Sequence, residues 1–242
     1  MTQTEGLERL ARLVAARRGG TVFTPNVDHV VLASEDDAFR EAYADANLSL
    51  IDGMGLVWAC RLLGHEIPEK VSGADMVRPL LARAAADGWR VYLFGGAPGV
   101  VERARALLSL ELPTLNVVGA AAPRIDLASP VAARLEDVRR IRQARPDVVL
   151  VALGSPKGER WSQEMRSVLE PAVIVAVGAA LDFIAGAQRR APRWMSNSGL
   201  EWLYRLASDP RRLARRYLVR DPKFGPIFLR SLRERRGKAT AH

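Results

Sequence analysis

Apolar positions along this chain follow two alternating rhythms. Short β-rich runs at Thr21–Thr24, Leu48–Ile51, Arg90–Phe94, Asn116–Val118, Val148–Leu153 and Val173–Val177 read as strands. Between them, stretches with an apolar residue every three or four positions read as helices, near Val27–Asp45, Gly55–Leu63, Ala74–Ala86, Val100–Leu110, Val131–Arg145 and Lys157–Leu169. The runs VVLVAL and VIVAV are apolar at every position, which requires burial on both faces. Helices above and below a parallel sheet supply that burial. The pattern predicts an α/β domain over residues 1–195, with a doubly wound, mostly parallel, Rossmann-like sheet and helices on both faces. Neither an internal repeat nor a low-complexity linker is present.

Beyond that domain the pattern changes. Leu200, Leu203, Tyr204 and Ala207 recur at helical spacing and form an apolar face that must pack on something. Asp209 and Pro210 read as the N-cap and first residue of a further helix. On it, Arg211, Arg212, Arg215 and Arg216 span an arc of about 140°, opposite Leu213 and Tyr217. Residues 196–242 are expected to form a basic, amphipathic helical appendage, with Ser231–His242 too polar to order.

Polar and glycine-rich punctuation falls just after the strands, where open α/β sheets bind ligands. The first strand runs into Thr24, Pro25 and Asn26, the second into Asp52 and Gly53, and the third into GGAPG, which holds Gly95, Gly96 and Gly99. The strand ending at Leu153 meets Gly154 and Lys157, and the one ending at Val177 meets Gly178 and Asp182. Bare amides in GGAPG beside a helix start suit a pyrophosphate, although such glycines equally serve tight turns. Asp52 on this rim suits a general base, or a cap of the following helix; Asp182 suits a nucleobase or ribose, or the same capping role.

Composition narrows the chemistry. With 48% apolar residues in 242, the chain can bury a sizeable core, yet its best apolar run, Pro171–Leu181, stops at Asp182, short of a bilayer span. The first residues mix charges through their apolar positions, so no secretory signal is expected. Cys60 is the single cysteine, which excludes an internal disulfide and suits the cytoplasm. His29, His65 and His242 lack ligand spacing and no D-x-D occurs, so neither a metal site nor a cofactor is expected and arginines must neutralise any diphosphate. Of the 36 Lys and Arg, 15 lie after residue 188, against 4 of the 27 Asp and Glu; this stretch carries +11 and the rest −2. Such an appendage points to an anionic partner: a membrane surface, a nucleic acid or a phosphorylated substrate.

Taken together, TPNVDH, LIDGMGLVWACRLLG, IPEKVSGADM, LFGGAPG, VALGSPKGERW, VGAALDFIAG, RRAPRWM, GLEWLYRL and PRRLARRY, in this order over Thr24–Tyr217, resemble the WecG/TagA/CpsF glycosyltransferases. The resemblance implies inverting, metal-independent transfer of a hexose or N-acetylhexosamine-type sugar. The donor is a UDP-sugar and the acceptor an undecaprenyl-diphosphate-linked sugar, for bacterial cell-surface polysaccharide. It places the enzyme at the cytoplasmic face of the plasma membrane, bound to anionic lipid through the appendage, with no nucleic-acid partner and a homo-oligomer left open. Asp52 then matches the catalytic base, Thr24 and Asn26 the first-loop pocket, and Asp182 the nucleotide pocket. Arg205, Arg212 and Arg215 match appendage arginines that complete the site around the diphosphates. Lys70 stands where many members have Arg, and Gly158 where the family usually has Gln, so the family's sugar does not carry over. The rival readings are a nucleic-acid binder, a nucleotide-dependent oxidoreductase and a non-catalytic nucleotide- or membrane-binding relative.

Overall fold

A computed structural model describes residues 1–130 and 134–239. Six strands form one sheet: β1 (Gly20–Phe23), β2 (Leu48–Ser49), β3 (Arg90–Gly95), β4 (Asn116–Ala121), β5 (Val148–Ala152) and β6 (Val173–Ala176). Their order is β2-β1-β6-β5-β3-β4 and every pairing is parallel, as expected for a doubly wound sheet.

Successive side chains of a strand point to opposite faces. Accordingly Val148, Leu150 and Ala152 of β5 join Val22, Leu93 and Val175 in one apolar layer, while Val149 and Val151 join Tyr92, Phe94 and Ile174 in the other. The first layer is covered by α1 (Gln3–Ala16), α5 (Gly73–Asp87), α6 (Val100–Glu111) and the short α9 (Ala180–Ile184). The second is covered by α7 (Leu135–Gln143) and α8 (Lys157–Leu169), with Trp161 of α8 fully buried and stacked on Phe94 at 4.4 Å. Phe23 and Ala176 continue this side beneath Ala42.

The helix expected over Val27–Asp45 is two helices, α2 (Val27–Glu35) and α3 (Asp37–Ala44). Asp36 between them is extended (φ −131°, ψ 107°) and its carboxylate caps α3 by accepting the Phe39 N–H at 3.0 Å. Of the helix expected over Val131–Arg145, α7 supplies the second part, and residues 131–133 lie outside those described. Helix α1 has no counterpart in the periodicity reading. α4 (Met54–Leu62) follows the second strand as expected.

The C-terminal element is helical throughout its described length: α10 (Arg193–Asn197), which crosses the expected boundary at 195, α11 (Glu201–Ser208), α12 (Pro210–Ala214), a π-helical stretch Arg215–Arg220, a 3-10 turn Asp221–Lys223, and α13 (Phe224–Ala239). Asp209 caps α12 as read, accepting the Arg212 N–H. Two expectations fail here. Leu200 and Leu203 of the apolar face are 37% and 46% exposed, so that face is largely uncovered. The cationic arc divides along its width, with Arg211 and Arg215 at one edge and Arg212 and Arg216 at the other, and the backbone opens into π-helix from Arg215. Arg212, Leu213 and Arg216 turn toward the body while Arg211 and Arg215 stay on the outer surface. Helix α13 also runs into the stretch from Ser231 for which no order was expected. Half-buried Phe224, Ile227, Phe228, Ser231 and Leu232 make a stripe along it, and the helix packs on α2.

Trp161 is the largest fully buried side chain of α8, and its indole N–H has no hydrogen-bond partner among the described residues. Trp161→Ala should therefore cost about 3–5 kcal/mol in urea denaturation, as cavity-forming aromatic truncations do. Trp161→Phe, which removes the unpaired donor along with part of the ring, should cost markedly less.

Candidate active site

Because all strands run the same way, their C-terminal ends meet on one rim. Loops from all six and the helices α11 and α12 enclose a cleft of about 960 Å³. Thr24 and Asn26 follow β1, Asp52 follows β2, Gly96 follows β3, Gly154 and Lys157 follow β5, and Gly178 and Asp182 follow β6; all line the cleft. Glu201, Arg205, Asp209, Arg212 and Arg216 close it from the C-terminal element.

Asp52 is free of the capping role that an Asp after a strand often fills. Gly53 holds the N-cap position of α4 at φ 83°, a backbone region that only glycine adopts readily, and no side chain caps that helix. The Asp52 N–H is fixed by the Pro25 carbonyl at 2.7 Å, which ties the β2 loop to the β1 loop. Burial pushes its carboxyl up to about 6, Glu201 adds to the rise, and Lys70 and Arg205 oppose it. A carboxylate with this affinity can take a proton and is still mostly ionised at neutral pH. Asp182 is likewise half-buried in the first turn of α9, where burial raises its pKa and Arg212 lowers it. No side chain caps that short helix, so Asp182 too is available to a ligand.

Asn26 has a structural duty as well. Its side-chain oxygen caps α2 by accepting the His29 N–H and receives a second hydrogen bond from Arg216 Nη2 at 3.2 Å. Behind it lies a polar cluster at the wall of the cleft. Asp28, 1% exposed, is paired with Arg216 Nε at 3.2 Å and with Arg220, whose Nη2 donates at 2.9 Å. The His29 ring contacts the Tyr43 hydroxyl at 2.7 Å, and burial with Arg216 and Arg220 nearby pushes its pKa down to about 3, so it is neutral. Glu159, 5% exposed on the first turn of α8, is pushed up to about 7, chiefly by burial.

Four residues expected in the site do not line the cleft. Gly95 closes β3 at φ 97°, and a Cβ there would come within 2.8 Å of the Ala152 carbonyl carbon; it is needed for strand packing. Gly99 caps α6 beyond the cleft. The neighbouring Gly96 does line it, but its N–H is spent on the Ala152 carbonyl at 2.8 Å, so the expected cradle of rim amides is one donor short. Arg215 is exposed on the outer face, and Arg216 occupies the inward position instead. Lys70 sits just behind the cleft, its Nζ 2.5 Å from Ser196 Oγ and 3.8 Å from the Glu201 carboxylate. Lys157 lines the cleft but also tethers the adjacent loop through the Ile125 carbonyl at 3.2 Å. The periodicity and spacing arguments missed Asp28, His29, Glu201 and Arg216. The first two stand inside TPNVDH, two and three residues after Asn26, and Arg216 directly follows Arg215. Among the described residues, no group of three or more His, Cys, Asp or Glu is placed to hold a metal ion.

A family model described as "Glycosyl transferase WecG/TagA/CpsF family" matches residues 1–238. The N-acetylglucosaminyldiphosphoundecaprenol N-acetyl-beta-D-mannosaminyltransferase of Bacillus subtilis (strain 168) is 30% identical over 222 residues, which is 92% of this chain and 82% of that protein.

Asp52 and Glu159 hold a proton more tightly in the folded chain than at their ordinary values of 3.8 and 4.5. Their contribution to stability is therefore present at low pH and is lost as pH rises through about 6 and about 7. Asp52→Asn removes one of these losses. Its melting temperature should exceed that of the parent at pH 8, by roughly 6–12 °C, and the difference should vanish toward pH 4.

Proposed function

We propose that this chain, which belongs to the WecG/TagA/CpsF family of glycosyltransferases, moves a hexose or N-acetylhexosamine-type sugar from a UDP-sugar to a polyprenyl-diphosphate-linked sugar, with inversion at the anomeric carbon. The observation that carries this reading is Asp52, an uncapped carboxylate in the cleft wall that faces cationic side chains from the C-terminal element. Asp52 accepts the proton of the acceptor hydroxyl as its oxygen attacks the anomeric carbon. The bond from that carbon to the UDP oxygen breaks on the opposite side, and UDP leaves with the electron pair. Arg205 and Arg212 stabilise the negative charge on the leaving diphosphate in the role that a divalent ion fills elsewhere. Asp182 and the loop at Gly178 hold the nucleoside, and Thr24 with Asn26 the transferred sugar.

The Bacillus subtilis relative acts, by its name, on an undecaprenol-linked diphosphate sugar, which supports a lipid-diphosphate acceptor here. The donor sugar is a separate matter. Gly158 is buried in the first turn of α8 and does not line the cleft, and a Cβ there would stand 3.9 Å from Ala176 and Val151. Access to such an acceptor requires the membrane surface. Trp194, Trp202, Leu203, Leu218 and Val219 are all exposed on the C-terminal element, beside exposed Arg211 and Arg215. Apolar side chains set among cations suit an anionic bilayer face, and peripheral attachment at the inner leaflet follows. Among the described residues no helix is long and apolar enough to cross a membrane.

Asp52→Asn should lower kcat with a lipid-diphosphate acceptor by about 10²–10⁴-fold while circular dichroism stays unchanged. For the parent, kcat/KM should rise with pH through about 6 and level off above it, since the base must be ionised. EDTA should leave the rate unchanged. Full activity in the Asn variant would remove Asp52 from the chemistry, and abolition by EDTA, reversed by a divalent ion, would remove the arginines from the ion's role.

A further inference from the structure

Among the contacts that hold the C-terminal element to the body, which include Arg190 with Asp75, Lys223 with Glu35 and the packing of α13 on α2, two polar clusters stand at the ends of the segment that spans the cleft. At the near end Lys70, whose side chain is 9% exposed, donates to Ser196 Oγ at 2.5 Å; Ser196 donates in turn to Glu201 at 2.7 Å, and Lys70 and Glu201 form an ion pair at 3.8 Å. At the far end the buried Asp28 receives both Arg216 and Arg220, and Arg216 reaches Asn26 across 190 residues of sequence. Between these points run α11 and α12, carrying Arg205 and Arg212 into the cleft, and Arg212 binds only Asp209 of its own helix among the described residues.

The far anchor depends on an unusual backbone. Arg216 and Arg220 both lie in the π-helical stretch, and both guanidinium groups converge on one carboxylate. π-helical turns are rare and concentrate where side chains must be re-aimed. A carboxylate as deeply buried as Asp28 is tolerated only with partners in place, because an unpaired charge there would be costly. With both arginines committed to Asp28, the cations that the C-terminal element leaves for a diphosphate are those between the anchors, beside Arg124 and Lys157 of the body.

We propose that Lys70, Ser196 and Glu201 at one end, and Asp28, Arg216 and Arg220 at the other, are positioning residues that suspend α11 and α12 over the cleft so that Arg205 and Arg212 meet the diphosphate. The proposal rests on the glycosyltransferase reading for its consequence, but the suspension itself is tested without any sugar substrate.

Full-length Asp28→Asn, Arg216→Gln, the pair together and Lys70→Met would be compared by timed trypsin digestion, thermal denaturation, UDP binding and steady-state kinetics. Each single variant should be cut within residues 201–220 about tenfold faster than the parent, as a released local element would be. Melting of the body should stay near that of the parent, while UDP affinity should fall, because Arg205 and Arg212 no longer meet its diphosphate. Turnover should fall as well, and the double far-end variant should lose no more than the worse single one, because both open the same anchor. Unchanged digestion with lost activity would overturn the proposal, as would multiplicative losses in the double variant or a general fall in melting temperature shared by Arg216→Gln. Faster digestion in a protein that transfers no sugar at all would leave the anchors standing and sink only the functional reading.

Discussion

The constraint on which the rest depends is that all six strands are parallel and buried on both faces. A parallel strand cannot return by a hairpin, so each must be followed by a crossover on one face or the other. Every strand therefore delivers its C-terminal end to the same rim, and loops separated by as many as 150 residues come together there without any local signal between them. Asp52 reaches the site because β2 pairs with β1, and Asp182 because β6 pairs with β1 from the other side.

A second constraint comes from charge. The cleft collects carboxylates in poorly solvated positions, and the raised affinities of Asp52 and Glu159 for protons express the cost of keeping them ionised there. Cations offset that cost, and almost all those near Asp52 come from outside the sheet. Lys70 arrives on the stretch before α5, and Arg205 on α11. The body sets Lys70, Lys157 and Arg124 against these carboxylates, and Lys157 is also tied to the Ile125 carbonyl. The C-terminal element supplies positive charge and also Glu201, which sets the opposite pull on the same base. Neither part has a complete site on its own.

How far the sequence reveals this differs by scale. The runs at Val148–Leu153 and Val173–Val177 disclose a sheet buried on both sides, since they are short, rich in β-branched residues and apolar at every position. Residues after the strands disclose the rim, and Thr24, Asn26, Asp52, Gly154 and Asp182 all reach it. Helix α1 was hidden because its buried positions, Gly6, Leu10, Ala11 and Val14, are interleaved with charges and one of them is a glycine. The break at Asp36 was hidden inside an otherwise continuous periodicity, where a capping Asp looks like any polar surface residue. Gly95 and Gly96 were read as ligand contacts when the first is held by its approach to β5 and the second has its amide bonded there. A tertiary neighbour decides between those roles, and no spacing rule contains it.

The exchange of Arg215 for Arg216 shows why the appendage resists such reading most. An α-helical wheel drawn from Asp209 to Tyr217 assumes one helical phase, and under that assumption four arginines make a single outward stripe. The stripe divides into an outer pair, Arg211 and Arg215, that faces solvent and an inner pair, Arg212 and Arg216, that faces the cleft. The buried carboxylate of Asp28 takes Arg216 and Arg220, both from the π-helical stretch, from a different part of the chain. Which edge of the arc turns inward is thus decided by a long-range ion pair that the wheel does not contain, and that pair leaves Arg205 and Arg212 as the cations the element holds toward the cleft above Asp52.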